Sequence, residues 1–254
     1  MNLVQEKDEL AFTKEEEQFQ EHADKWLELF SLFIHDIESP LASIKYLLRL
    51  LEEGKYDPQK EIHQRIVKST RIATERSESI IFDIMNIAKS GKVGLPVQIS
   101  ECAPDSIIRE AINLVISSAE DRKINLTYKN NAGKTPVEAD PELLKRMIDN
   151  LLYNAIRHTP EGGAVSVYTD RGDESVFIHV KDGGSGLGDI NPAKLFEKYG
   201  QLEMRVKGKH RGVGLGLYFC KLAATGMGGT VIAEDHETGG AVFTIRLRKA
   251  GVNK

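Results

Sequence analysis

Cysteine is almost absent. Cys102 and Cys220 are the only two in 254 residues, far apart and with no Cys or His at ligand spacing beside them. That argues against a disulfide framework or a zinc site and suits a reducing compartment. Long apolar runs are also missing. The longest uncharged stretch, Leu222 to Ala233, is too short to span a bilayer, and the N-terminus lacks the apolar core of a signal peptide. The expectation is a chain without direct membrane contact, located in the cytoplasm. No cationic excess exists: 34 Lys and Arg face 38 Asp and Glu, a net charge of −4, so nothing argues for a nucleic-acid partner. Glycine is scarce where it would break helices. Of 22 glycines only Gly54 lies in residues 1–90, which separates a helix-permissive first third from a turn-rich remainder.

In that first third, apolar residues at Trp26, Leu29, Phe30, Phe33, Ile34, Ile37, Leu41, Ile44, Leu47, Leu48 and Leu51 step by threes and fours. This spacing marks one buried helical stripe. Gly54, Asp57 and Pro58 interrupt it, and a second stripe runs through Ile62, Ile66, Ala73, Ile80, Ile84 and Ile87. Two helices joined by a short loop form an antiparallel hairpin with one unburied face. Pairing of two copies into a four-helix bundle completes it, so a homodimer is expected. The segments are a helical lead-in over 1–24, the hairpin over 25–90, a linker over 91–96 and a second domain over 97–254.

In the second domain strands and helices alternate. A strand is expected near 97–100, a helix over 105–119, a strand near 125–128 and a helix over 141–158. A β-hairpin turning at 171–173 follows, then a glycine-rich loop, a helix near 215–225 and two final strands. The fold class is α plus α/β: a helical hairpin, then an α/β sandwich with an antiparallel-rich sheet and helices on one face.

Three stretches of this domain carry chemistry. In "DNLLYNAIRHT" (149–159), Asn150 and Asn154 share one side of a helix, with Arg157 a turn beyond. A carboxamide oxygen is a hard ligand suited to Mg2+, which is commonly shared with nucleotide phosphates. "KDGGSGL" (181–187) ends a strand with Asp182, Gly184 and Gly186. Its carboxylate can accept from an exocyclic amine, and its glycines let backbone approach a planar base. "GVGLGLYFCK" (212–221) sets Gly212, Gly214 and Gly216 before a helix, whose N-terminal N–H groups suit phosphate. The Rossmann context and the Walker A motif are both missing, which disfavours dinucleotide and P-loop chemistry.

Order and spacing together resemble the sensor histidine kinases. "HDIESPL" (35–41) is similar to their H box, "NLLYNAIRHT" to the N box, "DGGSG" and "GVGLGL" to the two G boxes, and "LFEKYGQ" (195–201) to the F box. The resemblance covers roughly residues 25–250. It implies a GHKL-type ATP-binding domain using ATP and Mg2+, a homodimer, and a response regulator receiver domain as partner.

By resemblance, His35 is the phosphoacceptor; Asp36 holds its Nδ1 proton and leaves the Nε2 lone pair to attack. Pro40 removes the helix hydrogen bond to the carbonyl of Asp36 and bends the helix there. Ser39 stands where Thr or Asn is common in members that dephosphorylate their regulator. Its hydroxyl can orient a water, so phosphatase activity stays open. Asn154, supported by Asn150, resembles the Mg2+ position, and Arg157 meets phosphate oxygens. Asp182 resembles the acceptor of the adenine amine, with Gly184 and Gly186 beside the base. His158 stands where an aromatic is frequent. Residues 187–211 correspond to a lid over ATP, with Phe196 as its anchor, Gly212, Gly214 and Gly216 as hinge and phosphate cradle, and Lys198, Arg205, Lys207, Lys209 and Arg211 as candidate counter-charges. Gln201 replaces a common Arg.

Two other readings compete. One is a degenerate dimeric scaffold that binds nucleotide without transferring phosphate. The other is a gyrase-like ATPase; those carry a carboxylate base one turn before the Mg2+ asparagine, where this chain has Asn150, which cannot take a proton.

Overall fold

The computed structural model describes residues 38, 41–90, 95–197 and 215–251. They fall into two compact units, one ending at Ile80 and the other starting at Ile81.

In the first unit, helix α1 covers residues 41–52. It stops where the N–H of Gly54 donates to Leu51 O (3.1 Å) and those of Lys55 and Tyr56 donate to Leu50 O (2.9 and 3.0 Å). Such bonds satisfy carbonyls left over at a helix end. The connecting loop is pinned to the next helix, because the Asp57 N–H donates to His63 Nδ1 (2.9 Å) and Tyr56 stacks on the His63 ring. Helix α2 then runs Glu61–Ser90. Leu41, Leu48, Leu51, Ile62 and Val67 are exposed in the single chain.

The second unit comprises β1 (Ser100–Cys102), α3 (Pro104–Asp121), β2 (Asn125–Asn130), β3 (Val137–Ala139), α4 (Pro141–His158), β4 (Ala164–Arg171), β5 (Ser175–Lys181), α5 (Pro192–Leu195), α6 (Leu215–Gly226), β6 (Thr230–Asp235) and β7 (Ala241–Arg248). The main sheet has the order β2-β4-β5-β7-β6, with β2 and β4 parallel and the other pairs antiparallel. The short strands β1 and β3 pair separately. Helices α3, α4 and α6 pack on one face.

Helix α4 begins cleanly. Pro141 occupies its first turn, and the Asp140 carboxylate accepts from Glu142 N (3.1 Å), Leu143 N (3.2 Å) and Gln98 N (2.9 Å). Its residues Leu143, Leu144, Met147, Ile148, Leu151, Leu152, Ala155 and Ile156 are buried at helical spacing. Against them stand Val176, Ile178 and Val180 of β5, every second residue as a pleated strand requires. On the outward face Tyr168 stacks on its cross-strand partner His179 at 4.5 Å.

The expected strand near 97–100 begins instead at Ser100, and β2 runs on to Asn130. Neither β3 nor α5 was anticipated; at three and four residues they are too short to carry a period. Cys102 and Cys220 are free. Among the described residues no helix is long and apolar enough to cross a membrane, and no group of three or more His, Cys, Asp or Glu clusters for a metal.

Candidate functional site

Because α4 buries one stripe against the sheet, the residues between those positions lie on its other side. Asn150, Asn154 and Arg157 are half-buried there, and His158 is exposed. Four residues of helix separate Asn150 from Asn154 by about 6 Å along the axis. At one end of this row, Asn150 Oδ1 sits 2.9 Å from where a Cβ on Gly216 would come, so α6 approaches α4 this closely only with glycine there. At the other end, the His158 carbonyl lies against Gly184. Asn154 is therefore flanked by both glycine-rich segments. Its side chain makes no hydrogen bond with any described residue.

Asp182 follows β5 and is buried, 5% exposed. Its Oδ1 accepts the N–H groups of Gly184 (2.8 Å) and Ala241 (3.1 Å), and its own N–H donates to Ala241 O (2.9 Å). Oδ2 takes no hydrogen bond among the described residues and is not sealed from solvent. One oxygen is thus fixed by backbone while its twin remains an available acceptor.

The loop after Asp182 is held from both sides. Thr159, fully buried, donates through Oγ1 to Ala155 O (2.7 Å) and accepts the Gly183 N–H (3.0 Å). On the far side, the Asp235 carboxylate accepts the Leu187 N–H. Gly186 has φ +77°, and a side chain there would strike that carboxylate as well. Gly240 lies directly against the backbone of Asp182. Arg122 ties down the end of α4 by donating to the carbonyls of Ile156 and Thr159. Beyond the loop, Phe196 is 4% exposed and meets Phe243 edge-on at 6.4 Å.

Asp149 precedes the asparagine row. Burial pushes its carboxyl upward, against the pull of the Lys145 ammonium at 3.0 Å, and its Oδ1 is buried without a partner among the described residues.

The structure brings together Asn150, Asn154, the end of α4, Asp182, Gly184, Gly186 and Gly216, and packs Phe196 on the sheet. His35, Asp36, Ser39, Gly212, Gly214, Gln201 and the basic residues Lys198, Arg205, Lys207, Lys209 and Arg211 lie outside the described residues. Thr159, Asp235 and Gly240 were not singled out from the sequence. The Gly239-Gly240 pair was their one local signal, as a turn marker.

The residues on hand suit a metal-nucleotide ligand. A carboxamide at Asn154 with no partner among the described residues, and Asn150 on the same side of α4, is the oxygen donor chemistry Mg2+ takes. The open Oδ2 of Asp182 suits an amine donor.

Residues 139–251 match the family described as "Histidine kinase-, DNA gyrase B-, and HSP90-like ATPase". Over 213 residues the chain is 26% identical to the alginate biosynthesis sensor protein KinB of Pseudomonas aeruginosa, covering 84% of this chain and 35% of that one. It is also 26% identical over 251 residues to the adaptive-response sensory kinase SasA of Gloeothece citriformis, covering 96% of this chain and 63% of that one. The solved complex of histidine kinase ThkA with the response regulator protein TrrA shares the fold at TM-score 0.56 and 21% identity, over 95% of this chain and 67% of that chain.

Fold and match together liken residues 139–251 to the ATPase domain of that family. Over most of its length the chain is similar to sensor histidine kinases. It spans about a third of KinB and under two thirds of SasA.

Proposed function

We propose that the chain is a cytoplasmic, homodimeric protein histidine kinase. It phosphorylates itself on His35 from ATP and passes the phosphoryl group to an aspartate of a response regulator receiver domain. The observation that carries the nucleotide half is Asp182: Oδ1 locked by two backbone N–H groups and Oδ2 open, with the end of α4, whose Asn154 side chain has no partner among the described residues, packed against the same loop. Support for the relay half comes from the kinase relatives and from the receiver-bound ThkA.

On this reading the adenine amine donates to Asp182 Oδ2 and the base lies along Gly184 and Gly186. Asn154, with Asn150 beside it, would hold Mg2+, which offsets triphosphate charge. Arg157 and the cradle of Gly212, Gly214 and Gly216 meet phosphate oxygens. The Nε2 lone pair of His35 forms a bond to the γ-phosphorus as the bond to the bridging oxygen breaks, and ADP leaves with that electron pair. Asp36 keeps the proton on Nδ1 and stabilises the charge that develops. The phosphoryl group then moves from Nε2 to a receiver carboxylate. Ser39, four residues after His35 in sequence, is the residue to orient a water for dephosphorylation of that receiver.

Titrating the full chain with a non-hydrolysable ATP analogue, with and without Mg2+, tests the nucleotide half. Magnesium-dependent binding in the micromolar range supports the kinase; no binding contradicts it. A gyrase-like ATPase would show rapid steady turnover in a His35→Ala chain. Asn150 in place of a carboxylate base makes that turnover slow.

A further inference from the structure

The end of the sheet away from Asp182 holds a cleft of about 590 Å3, lined among others by Lys134, Thr135, Arg171, Asp173 and Lys249. Strand β5 starts beside it at Ser175 and ends next to Asp182. At the rise of an extended strand the two regions are about 20 Å apart. The cleft is therefore separate from the nucleotide region.

Its wall is built around Lys249. This residue is 7% exposed, and its Nζ donates to Asp173 O (2.6 Å). Backbone bonds hold it in place: its N–H donates to Glu174 O (2.9 Å), and that of Ala250 donates to Pro136 O (3.0 Å). Only one of three ammonium protons thus has an acceptor among the described residues, and no described carboxylate comes within ion-pair distance. Burying a charge without a counter-charge is unfavourable, so an anion beside it would be stabilising. Arg171 and Lys134 line the same cleft, are exposed and have no described partner. Asp173 is the one carboxylate in the lining, against three cations.

We propose that this cleft binds a small oxyanion carrying two or more negative charges, a phosphate group or a compact polycarboxylate. Lys249 is the buried counter-charge, and Arg171 supplies a planar fork that matches either group. The Thr135 hydroxyl in the lining already donates to Ala132 O (2.7 Å), so the two exposed cations and Lys249 carry the recognition.

The test follows backbone amide shifts of the full chain during titration with inorganic phosphate and, separately, citrate, at ionic strength held constant with potassium chloride. The amides of Thr135, Gly172 and Lys249 should shift saturably, and equally so with the ATP analogue present. The oxyanion that saturates at lower concentration identifies the class. Arg171→Gln and Lys134→Gln, both at exposed positions that leave the fold intact, should each weaken binding by about fivefold. Shifts that remain linear, that chloride reproduces, that Arg171→Gln leaves unchanged, or that occur only around Asp182 would overturn the proposal. Failure of the nucleotide titration would leave this result untouched, because the two sets of amides are different.

Discussion

On the proposed function, Asp182 divides its two oxygens between structure and recognition. Asp182→Asn keeps an oxygen for Gly184 and Ala241 but replaces the open acceptor with a donor. The fold should persist while affinity for ATP falls by about 10- to 100-fold, the worth of one hydrogen bond to a charged group. Isothermal titration checks this. Thr159 acts through Gly183: Thr159→Val removes the hydroxyl and loosens the loop, whereas Thr159→Ser restores both bonds, so nucleotide affinity should drop in the first variant and recover in the second.

On the sheet's other face, burial lowers the pKa of His179, only partly opposed by Asp170 and Glu234. The folded state therefore takes up a proton less readily than the unfolded chain. Stability from this group is full above the ordinary imidazole pKa of about 6.5 and is lost as pH falls through the depressed folded value. Urea midpoints measured at pH 7 and pH 5 (roughly the imidazole range) should differ more for the native chain than for His179→Gln.

On the proposed function, helix α4 serves both packing and ligand. Its buried stripe fixes its rotation, and that rotation presents Asn150, Asn154 and Arg157 on the other side. Leu151→Ala, at a fully buried position, should cost about 2–5 kcal/mol of unfolding free energy in urea denaturation. This helix was legible in sequence to the residue, because Asp140 and Pro141 mark its start and its period is unbroken. The β4–β5 hairpin and the two closing strands were legible for the same local reasons. Strand β3 and helix α5 were not, since three or four residues carry no period. Nor were the bonds joining Thr159 to Gly183, Asp235 to Leu187 and Asp182 to Ala241. Each pairs segments remote in sequence, and only tertiary packing brings them together. Gly184 and Gly186 were legible as a motif, but the carboxylate that Gly186 accommodates, Asp235, was not.

Taken whole, the chain pairs a helical hairpin with an α/β nucleotide fold. The exposed Leu41, Leu48, Leu51 and Ile62 of the hairpin are what a second copy would bury. Sedimentation of the full chain should give a dimer, and Leu48→Lys with Leu51→Lys should shift it to monomer. The central claim is that ATP bound at Asp182 delivers its γ-phosphoryl to His35. Incubation with ATP labelled on that group tests it most directly. The account predicts acid-labile, alkali-stable label on the native chain, reduced in Asp182→Asn and absent in His35→Ala. Label that persists in His35→Ala would contradict it.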